Sequence, residues 1–158
     1  MIKLNLGSGE DIREGYYNID VRNILGTNII ADVKSLPFQN KTIDEILASD
    51  VYEHISHRES LDLLKHWSGL LKEGGVLIIR APCLDTILQY LINTSNLEQI
   101  QIGIEALYGG QDYEENTHRT ICQTNLTASH LESVGMTDIQ FKMENTNILF
   151  KSIKNKII

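Results

Sequence analysis

Hydrophobic and polar positions alternate at the front of the chain and turn helical further on. Ile2-Lys3-Leu4-Asn5-Leu6 has period two and predicts a strand, ended by Gly7-Ser8-Gly9. Tyr16-Tyr17-Asn18-Ile19-Asp20-Val21 predicts a second strand, Asn28-Ile29-Ile30-Ala31 a third, and Ile43 to Ser49 a fourth. From Ser56 the pattern changes. Ser56-His57-Arg58-Glu59 has the form of a capping box, and Leu61, Leu64, Trp67 and Leu71 follow at helical spacing. Lys72 then falls in the last turn, with Gly74-Gly75 as the stop. Val76 to Arg80 is a short continuous apolar run, the signature of a buried parallel strand. Residues 84 to 108 predict one or two helices, and Tyr108 to Thr120 a polar loop. A helix from Asn125 to Val134 ends at Gly135, and two closing strands follow, Thr137 to Met143 and Asn147 to Ile153. Strands in front, helices alternating behind and a final hairpin predict one α/β domain over 1–158 with a mixed sheet edge.

Composition narrows the chemistry. Fourteen Lys and Arg against twenty-one Asp and Glu leave a net charge of −7. That excess of acid speaks against a nucleic-acid partner. The Lys151, Lys154 and Lys156 tail reads as the solvent face of the last strand and its end. No apolar run approaches the ~20 residues of a membrane span, and the first residues lack a signal-peptide core. Cys83 and Cys122 fit neither a zinc pattern nor a disulfide framework. The expectation is a cytoplasmic protein with reduced thiols and no membrane insertion.

Two features carry candidate chemistry. The Gly7-Ser8-Gly9 turn after the first strand lets backbone approach a ligand. A dinucleotide fingerprint is disfavoured, because Ile12 stands where its third glycine belongs and Asp20 follows too soon. A P-loop is excluded, since no Gly-Lys-Ser/Thr follows. The second feature is Asp20, Asp32 and Asp50, each at a strand end. In an open parallel sheet all three lie along the carboxyl edge, where ligands bind.

Taken in order, Asn5-Leu6-Gly7-Ser8-Gly9, Asn18-Ile19-Asp20, Ala31-Asp32-Val33 with Leu36-Pro37-Phe38, Ile43-Asp44-Glu45-Ile46, Val51-Tyr52-Glu53-His54 and Leu70-Leu71-Lys72-Glu73-Gly74-Gly75-Val76-Leu77 resemble class I S-adenosylmethionine-dependent methyltransferases. Within them the chain is similar to small predicted methyltransferases often associated with surface-glycan genes. The match covers residues 4 to 82 best. The resemblance implies a Rossmann-like seven-strand sheet with a reversed final strand. It implies S-adenosylmethionine as cofactor and methyl transfer to a small acceptor, a sugar or glycan-precursor hydroxyl. It also implies roles: Asn5 and Gly7 to Gly9, Ser8 included, under the methionine part, Asp20 on the ribose, Asp32 and the Val33 amide at the adenine, and Asp50 near the sulfonium. Residues 83 to 120 become the acceptor-side insertion.

Two departures accompany the resemblance. Asn5 stands where the family usually carries Asp or Glu. Only Glu10 to Gly15 separate the glycine turn from the second strand, so the first helix is shortened or missing. The strand-one face with Lys3 and Asn5 is then either uncovered or covered by a partner chain, a homodimer included.

His54 and His57 leave three readings open: a metal pair with Glu53 and Asp50 nearby, a polar loop capping the helix, or His54 facing the acceptor as general base. His118 competes for the base role. Sequence dictates no third ligand, so no metal is expected and His54, Asp50 and His118 are the catalytic candidates. A missing base would not exclude transfer, because the sulfonium is already activated and positioning dominates. The rivals are a non-catalytic S-adenosylmethionine-binding partner or regulatory subunit, and an aminopropyl transferase on the same fold.

Overall fold

The computed structural model describes residues 1–155. Seven strands form one sheet: β1 (Lys3–Leu6), β2 (Tyr17–Asp20), β3 (Ile29–Ile30), β4 (Ile43–Ser49), β5 (Leu71–Pro82), β6 (Met136–Glu144) and β7 (Asn147–Lys154). Their spatial order is β3-β2-β1-β4-β5-β7-β6. The first five run parallel, and β7 is antiparallel to both β5 and β6. This is the expected α/β sheet with a reversed final strand. Connections leave β1 toward β2 and β4 toward β5, so the strand order reverses between β1 and β4. That switch point is where open parallel sheets open a crevice.

Four helices are present among the described residues: α1 (Ser60–Leu70), α2 (Leu84–Ile92), α3 (Leu97–Tyr108) and α4 (Thr124–Ser133). None lies between β1 and β2, as expected, and none between β2 and β3 or β3 and β4 either. No helix among the described residues is long and apolar enough to cross a membrane.

The core lies on one side of the sheet. Leu4, Ile46 and Leu77 are register partners across β1, β4 and β5, and all are at most 1% exposed. Leu64 and Trp67 of α1 and Leu131 of α4 join them in a single cluster. Trp67 also donates its indole N–H to the Val33 carbonyl (2.9 Å), tying the segment after β3 to α1. On the other side, Glu45 pairs in register with Lys3 and Val76, and Val76, Ile78, Leu149 and Ile153 stay half-buried. Tyr16 covers part of this side, its hydroxyl donating to Glu45 with the Lys3 ammonium over its ring.

Four sequence expectations need correction. The capping box does not form. Ser56 Oγ accepts from the Arg58 N–H at 3.3 Å and α1 begins only at Ser60, with no side-chain cap. The His57 N–H is taken by the Arg119 carbonyl, which holds residues 56–59 with a loop instead of the helix. Lys72 is not in the last helical turn either. The helix ends at Leu70, β5 starts at Leu71 opposite Ile43, and Lys72 pairs with Asp44 at 2.7 Å. Gly74 and Gly75 sit in the resulting bulge, where Gly74 has φ of 78° and a Cβ on Gly75 would lie 2.9 Å from the Lys72 carbonyl. Of the basic tail, Lys151 is exposed, whereas Lys154 donates to the Val134 carbonyl (2.9 Å) beyond the end of α4. Lys156 lies outside the described residues.

Candidate active site

The carboxyl edge of the parallel strands opens into a cleft of about 320 Å3. Gly7 forms its floor at the end of β1, and Asp20 its wall at the end of β2. Asp32 and Val33 contribute after β3, and Asp50 and His54 after β4. Five of the expected cofactor residues thus meet there: Gly7, Asp20, Asp32, Val33 and Asp50.

The glycine turn is shaped by crowding. Gly7 and Gly9 have φ of 57° and 49°, the left-handed region that glycine enters without a Cβ penalty. Asp20, only 4% exposed, accepts from the Gly9 N–H through Oδ2 (2.9 Å). Its Oδ1 accepts from the Arg22 N–H (2.9 Å) and Nε (3.1 Å). Burial pushes the Asp20 carboxyl up, but the bonds from Arg22 and Gly9 outweigh it and hold its pKa below the usual value. The carboxylate is therefore ionised at neutral pH, and the Arg22 side chain on it is itself half exposed.

Asn5 and Ser8 are not brought to the cleft lining. Asn5, 2% exposed, donates its amide to the Asp11 carbonyl (2.7 Å) and to Asn18 Oδ1 (3.0 Å). With no helix in the crossover, buried amides are what hold residues 7–16 to the sheet. Ser8 is 3% exposed and its N–H bonds the Ile19 carbonyl (2.9 Å), so its part is backbone pairing of the turn with β2. Gly9 acts through its N–H on Asp20.

Asp50 occupies the left-handed region at φ 55°, where a non-glycine residue needs fixing by its surroundings. Arg80 pairs with its Oδ2, and Asn147 donates to its Oδ1 (3.1 Å). After Asp50 the chain makes a 3₁₀ turn over Tyr52–His54. The Glu53 carbonyl accepts from the N–H groups of Arg119 (2.7 Å) and Thr120 (3.0 Å). That tie brings His118 beside His54, with ring centroids 5.1 Å apart. Burial holds the His118 pKa below the usual imidazole value, and the His54 ring adds to this. Glu53 is 1% exposed, and burial pushes its carboxyl up to about 8, with the Asp50 charge adding to the shift. His57 is exposed and takes no part.

Sequence reasoning missed Val21, Arg22, Tyr113 and Arg119, which also line the cleft. Val21 and Arg22 follow the predicted strand-end acid and were within reach of that argument. Tyr113 and Arg119 arrive through a loop far along the chain, and nothing local announces them.

Residues 11–79 match a family model described as a methyltransferase domain. That stretch of the chain is thus similar to methyltransferase domains. No curated protein matches the sequence. Solved structures share the methyltransferase fold at low identity. A possible exported protein from Bordetella parapertussis aligns at TM-score 0.69 and 14% identity over 98% of this chain, which spans 62% of that protein. A SAM-dependent methyltransferase from Archaeoglobus fulgidus aligns at 0.67 and 13%, covering 96% of this chain and 85% of its own. A SAM-dependent methyltransferase from Thermotoga maritima aligns at 0.69 and 12%, covering 98% and 82%. The cleft combines a glycine turn, an ionised carboxylate at the end of β2 and an acidic edge, an arrangement suited to a ligand with hydroxyl donors and positive charge.

Proposed function

We propose that this protein is an S-adenosylmethionine-dependent methyltransferase that acts on a hydroxyl of a small acceptor, a sugar or glycan precursor. The observation that carries the reading is the two-sided cleft. Its sheet side holds Gly7, Asp20, Asp32 and Val33, while its other side holds His54, Tyr113 and Arg119. Residues 83–120 form the acceptor wall, supported by Tyr113 and Arg119 standing in the same cleft as Asp20. Nucleic acid is not the acceptor, given the net charge of −7. The free buried thiols of Cys83 and Cys122 fit a reducing compartment, the cytoplasm.

Gly7, at the end of the glycine turn that Ser8 and Gly9 complete, would lie under the methionine part of the cofactor, and Asp20 would accept from the ribose hydroxyls once Arg22 turns aside. Asp32 and the Val33 backbone, which line the same cleft, would face the adenine. When bound, S-adenosylmethionine supplies a methyl group already activated on sulfur, so the S–C bond breaks with its electron pair on sulfur as the acceptor O–C bond forms. Asp50, fixed by Arg80 and Asn147, keeps negative charge at that end of the cleft. His54 and His118 stand on the acceptor side, where the hydroxyl proton must leave. Positioning by these walls supplies most of the acceleration.

The rival reading, a non-catalytic binding subunit, draws support from Arg22 lying on the Asp20 carboxylate. Calorimetry with S-adenosylhomocysteine followed by a mass-spectrometric product screen on sugar hydroxyl acceptors tests both. Micromolar binding and a product heavier by one methylene support the transferase. Binding with no product across sugar, phenol and amine acceptors supports the rival, and absence of binding overturns both.

A further inference from the structure

We propose that Glu53, His54 and His118 form a binding site for one divalent transition-metal ion of the zinc type, and that this ion holds the acceptor hydroxyl. The first half stands on the cluster alone. The second rests on the methyl-transfer reading above.

One ligating atom from each of the three side chains lies within 4.8 Å of the other two. Zinc bonds of about 2.0–2.2 Å place ligand atoms roughly 3.5 Å apart, so small ring rotations close the set. The sequence alone disfavoured a metal because His54 and His57 had no third ligand. The fold replaces His57, exposed and tied to Arg119, by His118 from the other end of the chain.

The state of each group suits an ion. Glu53 is 1% exposed, yet its Oε2 has no hydrogen-bond partner. A buried carboxyl oxygen left unpaired demands an explanation, and an ion is one of the few. Its neighbours do not supply one. Asp50 is held by Arg80 and Asn147 instead.

Both imidazoles are oriented as metal ligands usually are. His118 Nδ1 sits 3.0 Å from the Ala106 carbonyl, and His54 Nδ1 sits 3.3 Å from the Thr117 carbonyl. A carbonyl only accepts, so each Nδ1 carries the hydrogen and each Nε2 keeps its lone pair. A ring N–H given to a backbone carbonyl is the usual second partner of a ligating histidine. Two imidazoles and one carboxylate favour zinc-like ions over magnesium or calcium, which prefer oxygen throughout.

Three protein ligands leave a coordination position open, the mark of a catalytic site. His54 also lines the cleft, so that position faces the acceptor side. A hydroxyl oxygen bound there loses its proton to solvent more readily, and that oxygen forms the new bond to the methyl carbon. His54 then acts as a ligand and not as a free base.

The test uses untagged full-length protein stripped with a chelator and titrated with zinc chloride by calorimetry, with cobalt(II) as the spectroscopic probe. One equivalent of zinc is expected, with the visible absorption of low-symmetry cobalt. Glu53→Gln and His118→Ala are each expected to weaken zinc binding at least ~100-fold, with His57→Ala unchanged. Thermal melts report folding, and His118→Ala carries the test if Glu53→Gln does not fold. No stoichiometric zinc at micromolar protein, or zinc binding indifferent to both substitutions, overturns the site. S-adenosylhomocysteine affinity measured in chelator separates the two readings: cofactor binding without zinc binding removes the metal and leaves the methyltransferase, and zinc binding without cofactor binding does the reverse.

Discussion

Gly7 and Val51 stand so close that a Cβ on Gly7 would lie 2.3 Å from Val51 Cγ2. The end of β1 and the segment after β4 are thereby locked together at the floor of the cleft.

Gly7→Ala therefore meets two penalties, the clash with Val51 and a left-handed φ that costs an alanine about 1–2 kcal/mol. The expected result is a clear fall in melting temperature, with S-adenosylhomocysteine affinity reduced more than ~10-fold because the turn moves. A variant that melts and binds like the wild type would show that the turn is not held as described.

Asp20→Ala is expected to weaken S-adenosylhomocysteine binding roughly ten- to a hundredfold, from hydrogen bonds to a charged group at ~1.5–3 kcal/mol each. Asp20→Asn should fall between. Because Asp20 also accepts from Gly9, the alanine variant should lose some thermal stability too. A lowered melting temperature with unchanged affinity would leave only the turn-fixing role.

Trp67→Phe keeps the ring in the core but leaves the Val33 carbonyl without its indole donor. The expected cost is about 1–2 kcal/mol of stability, read by urea denaturation. Val33 lines the cleft, so cofactor affinity should also drop measurably. Stability and affinity both at wild-type values would mean the bond contributes nothing.

Asp85 receives bonds from the Thr124 hydroxyl (2.6 Å) and N–H (2.9 Å) at the start of α4. Those bonds hold its carboxyl below the ordinary value of 3.8. The folded pKa is the lower one, so this stabilisation is complete above the unfolded value and disappears as pH falls through the folded one. Wild type should thus outlast Asp85→Ala in melts at pH 7, with the gap narrowing below about pH 4. A gap constant down to pH 2 would refute the assignment.

The Gly7-Ser8-Gly9 turn and the strand-end acids Asp20, Asp32 and Asp50 were legible because each is local: a period-two run, then a glycine or a carboxylate where the strand stops. Helix starts were less so. Ser56 and Glu59 carry capping chemistry, but the Glu59 N–H goes to the Ser56 carbonyl (2.8 Å) in a turn whose His57 N–H is held by the Arg119 carbonyl. Asn5 reads as a ligand-side residue in one dimension. Only the absence of a helix over residues 7–16 turns it into the anchor of that crossover.

Sequence alone determined the alternation of strands and helices, the missing first helix, the closing hairpin and the acids at the carboxyl edge. These follow from spacing and chain length, which act over a few residues. The tertiary structure decided which distant groups meet: Arg22 on Asp20, Trp67 under Val33, and Glu53 and His54 against His118. Such meetings depend on how β4, β5 and the loop before α4 stack around one sheet. The bonds from Arg119 and Thr120 to the Glu53 carbonyl that fix the last of them leave no periodic trace in the chain.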